Sequence, residues 1–255
     1  LVIGAGMTVA GLSNAGPAPI ALIVAGVLIA VPAFARLTPP GTIRAAHGLP
    51  TAVLLRGFLT FAFFCADAYV PLAIQGWRGE PALVSGLVFT ASTLSWTGGA
   101  WIQAHRIERI GPLKFLVTGF VVLMLGIGGF ALILIPSVPL IVAVVAWSVA
   151  GLAMGLSYST LSIVVLRESP PETQGASTAG LQLSDVLGTS LGTGLGGALV
   201  AAGVRAGGAG WEGLAATFAV AIGVAFVGLL LSGRLGRSGT LRGAIHAGST
   251  AAPSG

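Results

Sequence analysis

Long apolar runs, separated by short polar segments, dominate the chain. Seven of these runs are long enough to cross a bilayer as a helix, which takes about 20 residues. An eighth apolar run, residues 1–13, is shorter and is interpreted as the end of a cut helix. We therefore predict an all-α, polytopic bundle of transmembrane helices. The seven complete spans are predicted at residues 17–36, 53–75, 82–104, 113–135, 140–166, 176–202 and 212–233.

The composition supports this prediction. Charged residues make up 7% of the chain and hydrophobic residues 55%, whereas soluble domains carry roughly 25% charged residues. A single cysteine, Cys65, excludes an internal disulfide. The net charge of +5 raises the possibility of nucleic-acid binding. We predict no nucleic-acid partner, because the basic residues are spread over the loops of one predicted membrane side.

Basic residues are distributed unequally between the two sets of predicted loops. Ten of the twelve fall on one side, and only Arg78 and Arg205 fall on the other. Cytoplasmic loops carry the excess of basic residues. We therefore predict a multi-pass protein of the cell membrane, with loops 37–52, 104–114 and 167–175 and the C-terminus in the cytoplasm. The ten residues are Arg36, Arg44, Arg56, Arg106, Arg109, Lys114, Arg167, Arg234, Arg237 and Arg242.

One carboxylate, Asp67, lies near the middle of the span at 53–75. A carboxylate at that depth costs on the order of 3 kcal/mol, so it should face a protein interior or a wet cavity. Pro71 follows four residues later and cannot donate to the Asp67 carbonyl, which predicts a break in the helix. The helical face that carries both is interpreted as the wall of a transport pathway. Its members are Thr60, Phe64, Asp67, Pro71 and Gln75.

A second intramembrane acid, Asp185, lies in the span at 176–202. Its helix has one polar face, and glycines recur every four residues at Gly188, Gly192 and Gly196, a pattern that permits close helix approach. Asp185 is either a coupling residue or a helix–helix hydrogen-bonding residue. Four spans, at 53–75, 82–104, 140–166 and 176–202, each have one polar or small-residue face. The predicted cavity-lining residues on these faces are Thr60, Phe64, Gln75, Thr90, Thr93, Trp96, Thr97, Ser148, Tyr158, Ser159, Gln182 and Thr189.

Other candidate chemistries find little support. The sequence GTGLGG at 192–197 matches a dinucleotide-binding pattern, but no strand precedes it and a packing seam explains its glycines. His47, His105 and His246 have no further metal ligands nearby in the sequence. No nucleophile set or phosphate-binding loop is visible. We predict no catalytic residues, metal or cofactor, and no enzyme activity.

The chain resembles the major facilitator superfamily of transporters. The resemblance rests on FFCADAYVPLA at the family's seventh helix, on GLAMGLSYSTLSIVVLRESPPETQGASTAGLQLSDVLG across the tenth and eleventh, and on the basic loop after the eighth. It implies that the first, second, fourth and fifth helices of each half line a cavity with a site near the midplane. The family's loop motif survives only as Gly99, Gln103, Arg109 and Gly111, with Gln103 in place of the acid.

This resemblance implies a division of the chain. Residues 1–36 would be the end of an N-terminal helical half, 37–52 a cytoplasmic linker, 53–233 the six-helix C-terminal half, and 234–255 a disordered cytoplasmic tail. The chain would be a piece of a longer protein, because it begins with Leu1 inside an apolar run. Its expected partners are the lipid bilayer, a small-molecule substrate, protons and the missing N-terminal half of the same chain.

The resulting hypothesis is a secondary active transporter of the multidrug type. It would export small amphipathic compounds by alternating access, coupled to protons, with Asp67 exchanging a proton, a cationic substrate or both. A metabolite importer or facilitator of the same fold is the alternative within transport. From other classes, a non-transporting membrane subunit or a membrane-embedded enzyme stays open.

Overall fold

Eight α-helices form the computed structural model, which describes residues 1–13, 17–208 and 210–235. Each predicted span overlaps one helix, and no strand occurs within these three ranges. Most of the predicted tail lies outside the described residues. The helices are α1 Val2–Ser13, α2 Pro17–Leu37, α3 Leu49–Asp67, α4 Ala82–Ile110, α5 Pro112–Ala131, α6 Ile141–Glu168, α7 Gln174–Arg205 and α8 Trp211–Ser232.

Five helical segments are long and apolar enough to cross a membrane, judged over the described part of the chain. The bundle is therefore an all-α membrane bundle. Helix α4 is not among the five, and it carries many serine, threonine and charged side chains. The count of seven spans stays a prediction. The five segments are Leu49–Trp77, Pro112–Leu134, Ile141–Glu168, Pro171–Arg205 and Trp211–Ser232.

The loop predicted at 104–114 is wrong, because most of it is helix. Helix α4 continues to Ile110, and α5 begins at Pro112. Ile107 stabilises this extension by packing in a small apolar cluster with Phe115 and Leu156. Only Gly111 separates the two helices, with a φ of 86° that favours glycine.

Helix α3 occupies the centre of the packing. It contacts α6, α7 and α8, while α4 packs on α6. Helices α5 and α8 pack against each other, and α1 and α2 form a pair that lies against α7 through α1. The surfaces of α5 and α8 expose large apolar side chains, among them Leu125 and Leu230. These surfaces suit contact with lipid.

Glycines allow α7 to lie directly on α3. A Cβ placed on Gly192 would come 2.6 Å from the carbonyl oxygen of Phe61, and one on Gly188 would collide with the carbonyl oxygen of Gly57. A Cβ placed on Gly196 would come 2.5 Å from the ring of Tyr69. Backbone proximity therefore requires glycine at positions 188 and 192, which is the small-residue packing that membrane helices use.

A second glycine seam joins α4 to α6, and it generates a test. We expect Gly99→Ala to destabilise the full-length protein by about 1–3 kcal/mol, because overpacking costs energy of that order. The added Cβ would lie 2.5 Å from the carbonyl oxygen of Leu152. The adjacent Gly98 faces open space, so Gly98→Ala is the matched control. Thermal unfolding in detergent measures both, and equal unfolding midpoints would contradict the packing described here.

Candidate functional site

A buried arginine lies two turns into α3. Arg56 is only 1% exposed, although it belongs to a membrane-spanning segment. Its guanidinium donates from Nη1 to the Tyr158 carbonyl oxygen at 2.9 Å and from Nη2 to Ser162 Oγ at 2.6 Å. The same group lies 3.5 Å above the centre of the Tyr158 ring, in cation–π geometry. Helix α6 thus contacts the Arg56 guanidinium in two ways, through hydrogen bonds and through the face of the Tyr158 ring.

Tyr158 links this arginine to the second predicted acid. Its hydroxyl donates to Asp185 Oδ2 at 2.8 Å, while the face of its ring contacts the Arg56 guanidinium. Thr60 ties the same layer together, because its hydroxyl lies 3.0 Å from the Arg56 carbonyl oxygen and 3.2 Å from that of Asp185. Helices α3, α6 and α7 meet here in a network with one positive and one negative side chain.

Arg56 lies inside a helix and not among the basic loops. Its side chain is enclosed by protein within α3. A charge with protein partners need not reach the membrane surface, and the cytoplasmic side predicted for Arg56 stays a prediction. A signal was present in the sequence, since positions 56, 60 and 67 share one helical face. Grouping Arg56 with Thr60 and Asp67 would have identified it.

Asp67 has a different environment at the end of the same helix. Helix α3 stops at Asp67, a turn follows, and after Pro71 the backbone continues as a π-helix from Leu72 to Trp77. Trp147 of α6 donates from Nε1 to Asp67 Oδ1 at 3.1 Å. No ion pair to Asp67 occurs within the ranges that the structure describes. A single indole donor therefore faces this carboxylate.

Aromatic rings separate the two charged layers. Along α3, Asp67 lies eleven residues from Arg56, which corresponds to about 16 Å of helix. Phe63 lies between these two residues along α3. Its ring stacks on that of Trp147 with 5.6 Å between the ring centroids, and it makes a T-shaped contact with Trp96 at a centroid distance of 5.7 Å. Trp96 continues to Tyr158, also at 5.7 Å. A continuous aromatic layer thus runs from the neighbour of Asp67 to the neighbour of Asp185.

The predicted cavity-lining residues divide into three groups. Thr60, Phe64, Trp96 and Tyr158 take part in the charged or aromatic layers described above. A second group consists of serine and threonine residues whose hydroxyls donate to carbonyl oxygens of their own helices. The hydrogen-bonding capacity of these hydroxyls is therefore used locally. These are Thr90, Thr93 and Thr97 on the exposed face of α4, and Ser148 on α6.

The remaining predicted residues lie toward the edges of the site. Gln75 is exposed and donates to Ser85 Oγ at 3.1 Å, which joins the π-helix to α4. Gln182 is exposed on α7, whereas Ser159 and Thr189 are half-buried. Neither Asp67 nor Asp185 lines any of the three cavities identified, of about 570, 620 and 460 Å³.

The residues assigned to a cytoplasmic loop motif do not form a loop. Gly99 and Gln103 lie inside α4, and both are buried. Gln103 Nε2 has no hydrogen-bond partner among the described residues. Arg109 is exposed near the end of α4, and Gly111 forms the corner before α5. Gly99 and Gln103 thus lie in the helix, as the predicted span at 82–104 has them, and the role of the motif stays a prediction.

The described residues contain no group of three or more histidine, cysteine, aspartate or glutamate side chains that could hold a metal ion.

Comparison with known proteins finds similarity to transporters. Over 150 residues it is 24% identical to the MFS-type transporter YfiU of Bacillus subtilis (strain 168), covering 59% of this chain and 28% of that protein. Over 137 residues it is 28% identical to the multidrug transporter protein MdtP of the same organism, covering 53% of this chain and 25% of that protein. No protein-family model matches the chain.

These matches support a transporter of the major facilitator type. The aligned part of the chain spans only about a quarter of the length of the curated relatives it matches. Both relatives are transporters, which agrees with the prediction that the chain is not an enzyme.

The network of Arg56, Tyr158 and Asp185 predicts a double-mutant cycle. Arg56→Met and Asp185→Asn should each destabilise the full-length protein by about 2 kcal/mol or more, because each leaves a charge inside the bundle without the opposite charge of the network. The double variant should lose less than the sum of the two. Thermal unfolding in detergent measures the coupling. Strictly additive losses would show that the two charges do not compensate each other.

Proposed function

We propose that the chain is part of a proton-coupled secondary active transporter of the cell membrane that exports small amphipathic compounds by alternating access. Similarity to two transporters supports the transport activity, and one relative's name, multidrug transporter, supports the substrate class. The polar surface shared by α3, α4, α6 and α7 would form one wall of the substrate pathway. The rest of the protein would supply the opposite wall.

The observation that carries this proposal is the contrast between the two acids. Asp185 shares a network with Arg56 through the Tyr158 hydroxyl and ring. Asp67 has the Trp147 indole as its hydrogen-bond donor and no cationic partner among the described residues. A carboxylate without a fixed counter-charge can exchange a proton or receive a cationic substrate. Asp67 is therefore the main coupling residue in this proposal.

The position of Asp67 in the backbone supports the same role. The carboxylate lies where α3 ends and the π-helix follows, so regular helical hydrogen bonding stops beside it. Local π-helical geometry occurs frequently at functional sites. Protonation removes the charge that hydrocarbon disfavours and can bias which side of the protein is open. The membrane potential adds about 2.3 kcal/mol per charge per 100 mV.

Asp185 has a supporting role in the proposed mechanism. Its carboxylate holds α7 to α6, and Arg56 offsets its charge. In this position it would keep the wall intact while the Asp67 layer responds to protons and substrate. We propose it as a second, subordinate coupling residue, because its Oδ1 atom is buried without a partner among the described residues.

The direct test is Asp67→Asn in the full-length protein. The amide cannot exchange the proton, so efflux driven by an imposed pH gradient in proteoliposomes should fall to the background rate. Membrane insertion and the unfolding midpoint should stay close to those of the unmodified protein.

Glu172→Gln is the matched control, because Glu172 is exposed in the short helix before α7 and lies outside the proposed pathway. That variant should transport normally. Full pH-driven efflux in Asp67→Asn would remove Asp67 from the mechanism. Loss of insertion in Asp67→Asn would assign the residue to folding instead.

A further inference from the structure

An apolar cavity of about 570 Å³ lies between the α1–α2 pair and helices α3, α7 and α8. Its volume falls within the range of roughly 300–1,000 Å³ that small-molecule sites occupy. Its walls come from α1, α2, α3, α7 and α8, and they are almost entirely aliphatic or aromatic. Representative wall residues are Val27, Phe34, Phe58, Phe61, Leu187 and Val224. The few polar side chains inside include Thr8, whose hydroxyl already donates to the Gly4 carbonyl oxygen.

Two arginines supply the only charged side chains among the described residues that line this cavity. They are Arg44, in the short helix before α3, and Arg234, directly after α8. Arg234 donates from Nη1 to the carbonyl oxygens of Arg44 and Ala45, at 3.1 and 3.3 Å. These bonds place the Arg234 side chain beside the backbone of Arg44 in the cavity wall. No acidic side chain belongs to the described lining.

We propose that this cavity binds an anionic membrane lipid. An acyl chain matches the apolar walls, and a phosphate headgroup matches the paired arginines, whose guanidinium groups bind phosphate well. Both arginines fall on the side predicted to be cytoplasmic, where basic pockets between membrane helices bind anionic headgroups. The lipid would join α1 and α2 to α7 and α8.

Charge and shape together select this ligand over others. A zwitterionic lipid brings the same chains, but its own cation offsets the phosphate beside the arginines. A free phosphate would use the arginines and leave the apolar walls unfilled. A cationic amphipathic substrate would be repelled by Arg44 and Arg234. The site is separate from the pathway residues, since neither Asp67 nor Asp185 lines it.

The test measures lipid binding to the full-length protein by native mass spectrometry, supported by thermal unfolding with added lipid. The probes are phosphatidylglycerol, phosphatidylcholine and glycerol 3-phosphate. Phosphatidylglycerol should bind most tightly, and Arg44→Gln/Arg234→Gln should weaken it roughly tenfold, the order expected for lost contacts between arginine and an anionic lipid. Arg106→Gln/Lys114→Gln removes two exposed charges that do not line the cavity and should leave binding unchanged.

A second pair of variants tests the apolar part. Val27→Trp fills the cavity and should weaken phosphatidylglycerol binding, whereas Val24→Trp changes an exposed position on the same helix outside the lining. Equal binding of the two lipids, or equal losses in the two charge variants, would overturn headgroup recognition. Glycerol 3-phosphate binding as tightly as the lipid, or Val24→Trp matching Val27→Trp, would overturn the acyl-chain site.

Discussion

Hydrocarbon cannot solvate charge, and this constraint governs how α3 is built. The helix carries Arg56 near one end and Asp67 at the other, both within a segment apolar enough to span a membrane. The protein compensates the first charge with Tyr158, Ser162 and, through the tyrosine, Asp185. For the second, the Trp147 indole is the hydrogen-bond donor found in the described part of the chain. One helix thus combines a compensated charge, which holds the bundle together, with a carboxylate left available for chemistry.

Close helix packing makes the compensation possible. Gly57 and Gly188 bring the backbones of α3 and α7 into contact at the level of Thr60 and Asp185. At that distance the Thr60 hydroxyl reaches the Asp185 carbonyl oxygen across the interface. A larger side chain at either glycine would separate the two helices and the network between them. The glycine seam and the charged layer are therefore parts of one arrangement, in which packing positions the polar groups.

Local patterns in the sequence predict part of this arrangement. Apolar runs identify the helices, and Pro71 beside Asp67 predicts a break where the α-helix ends, because both depend on neighbouring residues. The contact between Tyr158 and Asp185 depends on how two helices are rotated toward each other, which periodicity alone does not determine. The partners of Arg56 depend on the same rotation, since they lie about a hundred positions away along the chain. The extension of α4 to Ile110 depends on Phe115 and Leu156 packing against Ile107.

The central claim is that the face of α3 carrying Asp67 lines a water-accessible pathway. Cysteine labelling tests it most directly, because Cys65 is the only cysteine in this chain and is buried. In a full-length background with Cys65 and any further native cysteine replaced by alanine, we would compare Phe64→Cys with Val121→Cys, which lies on the exposed apolar surface of α5. The account predicts that a membrane-impermeant maleimide labels position 64 and leaves position 121 unlabelled. An unlabelled position 64, or equal labelling of the two, would contradict it.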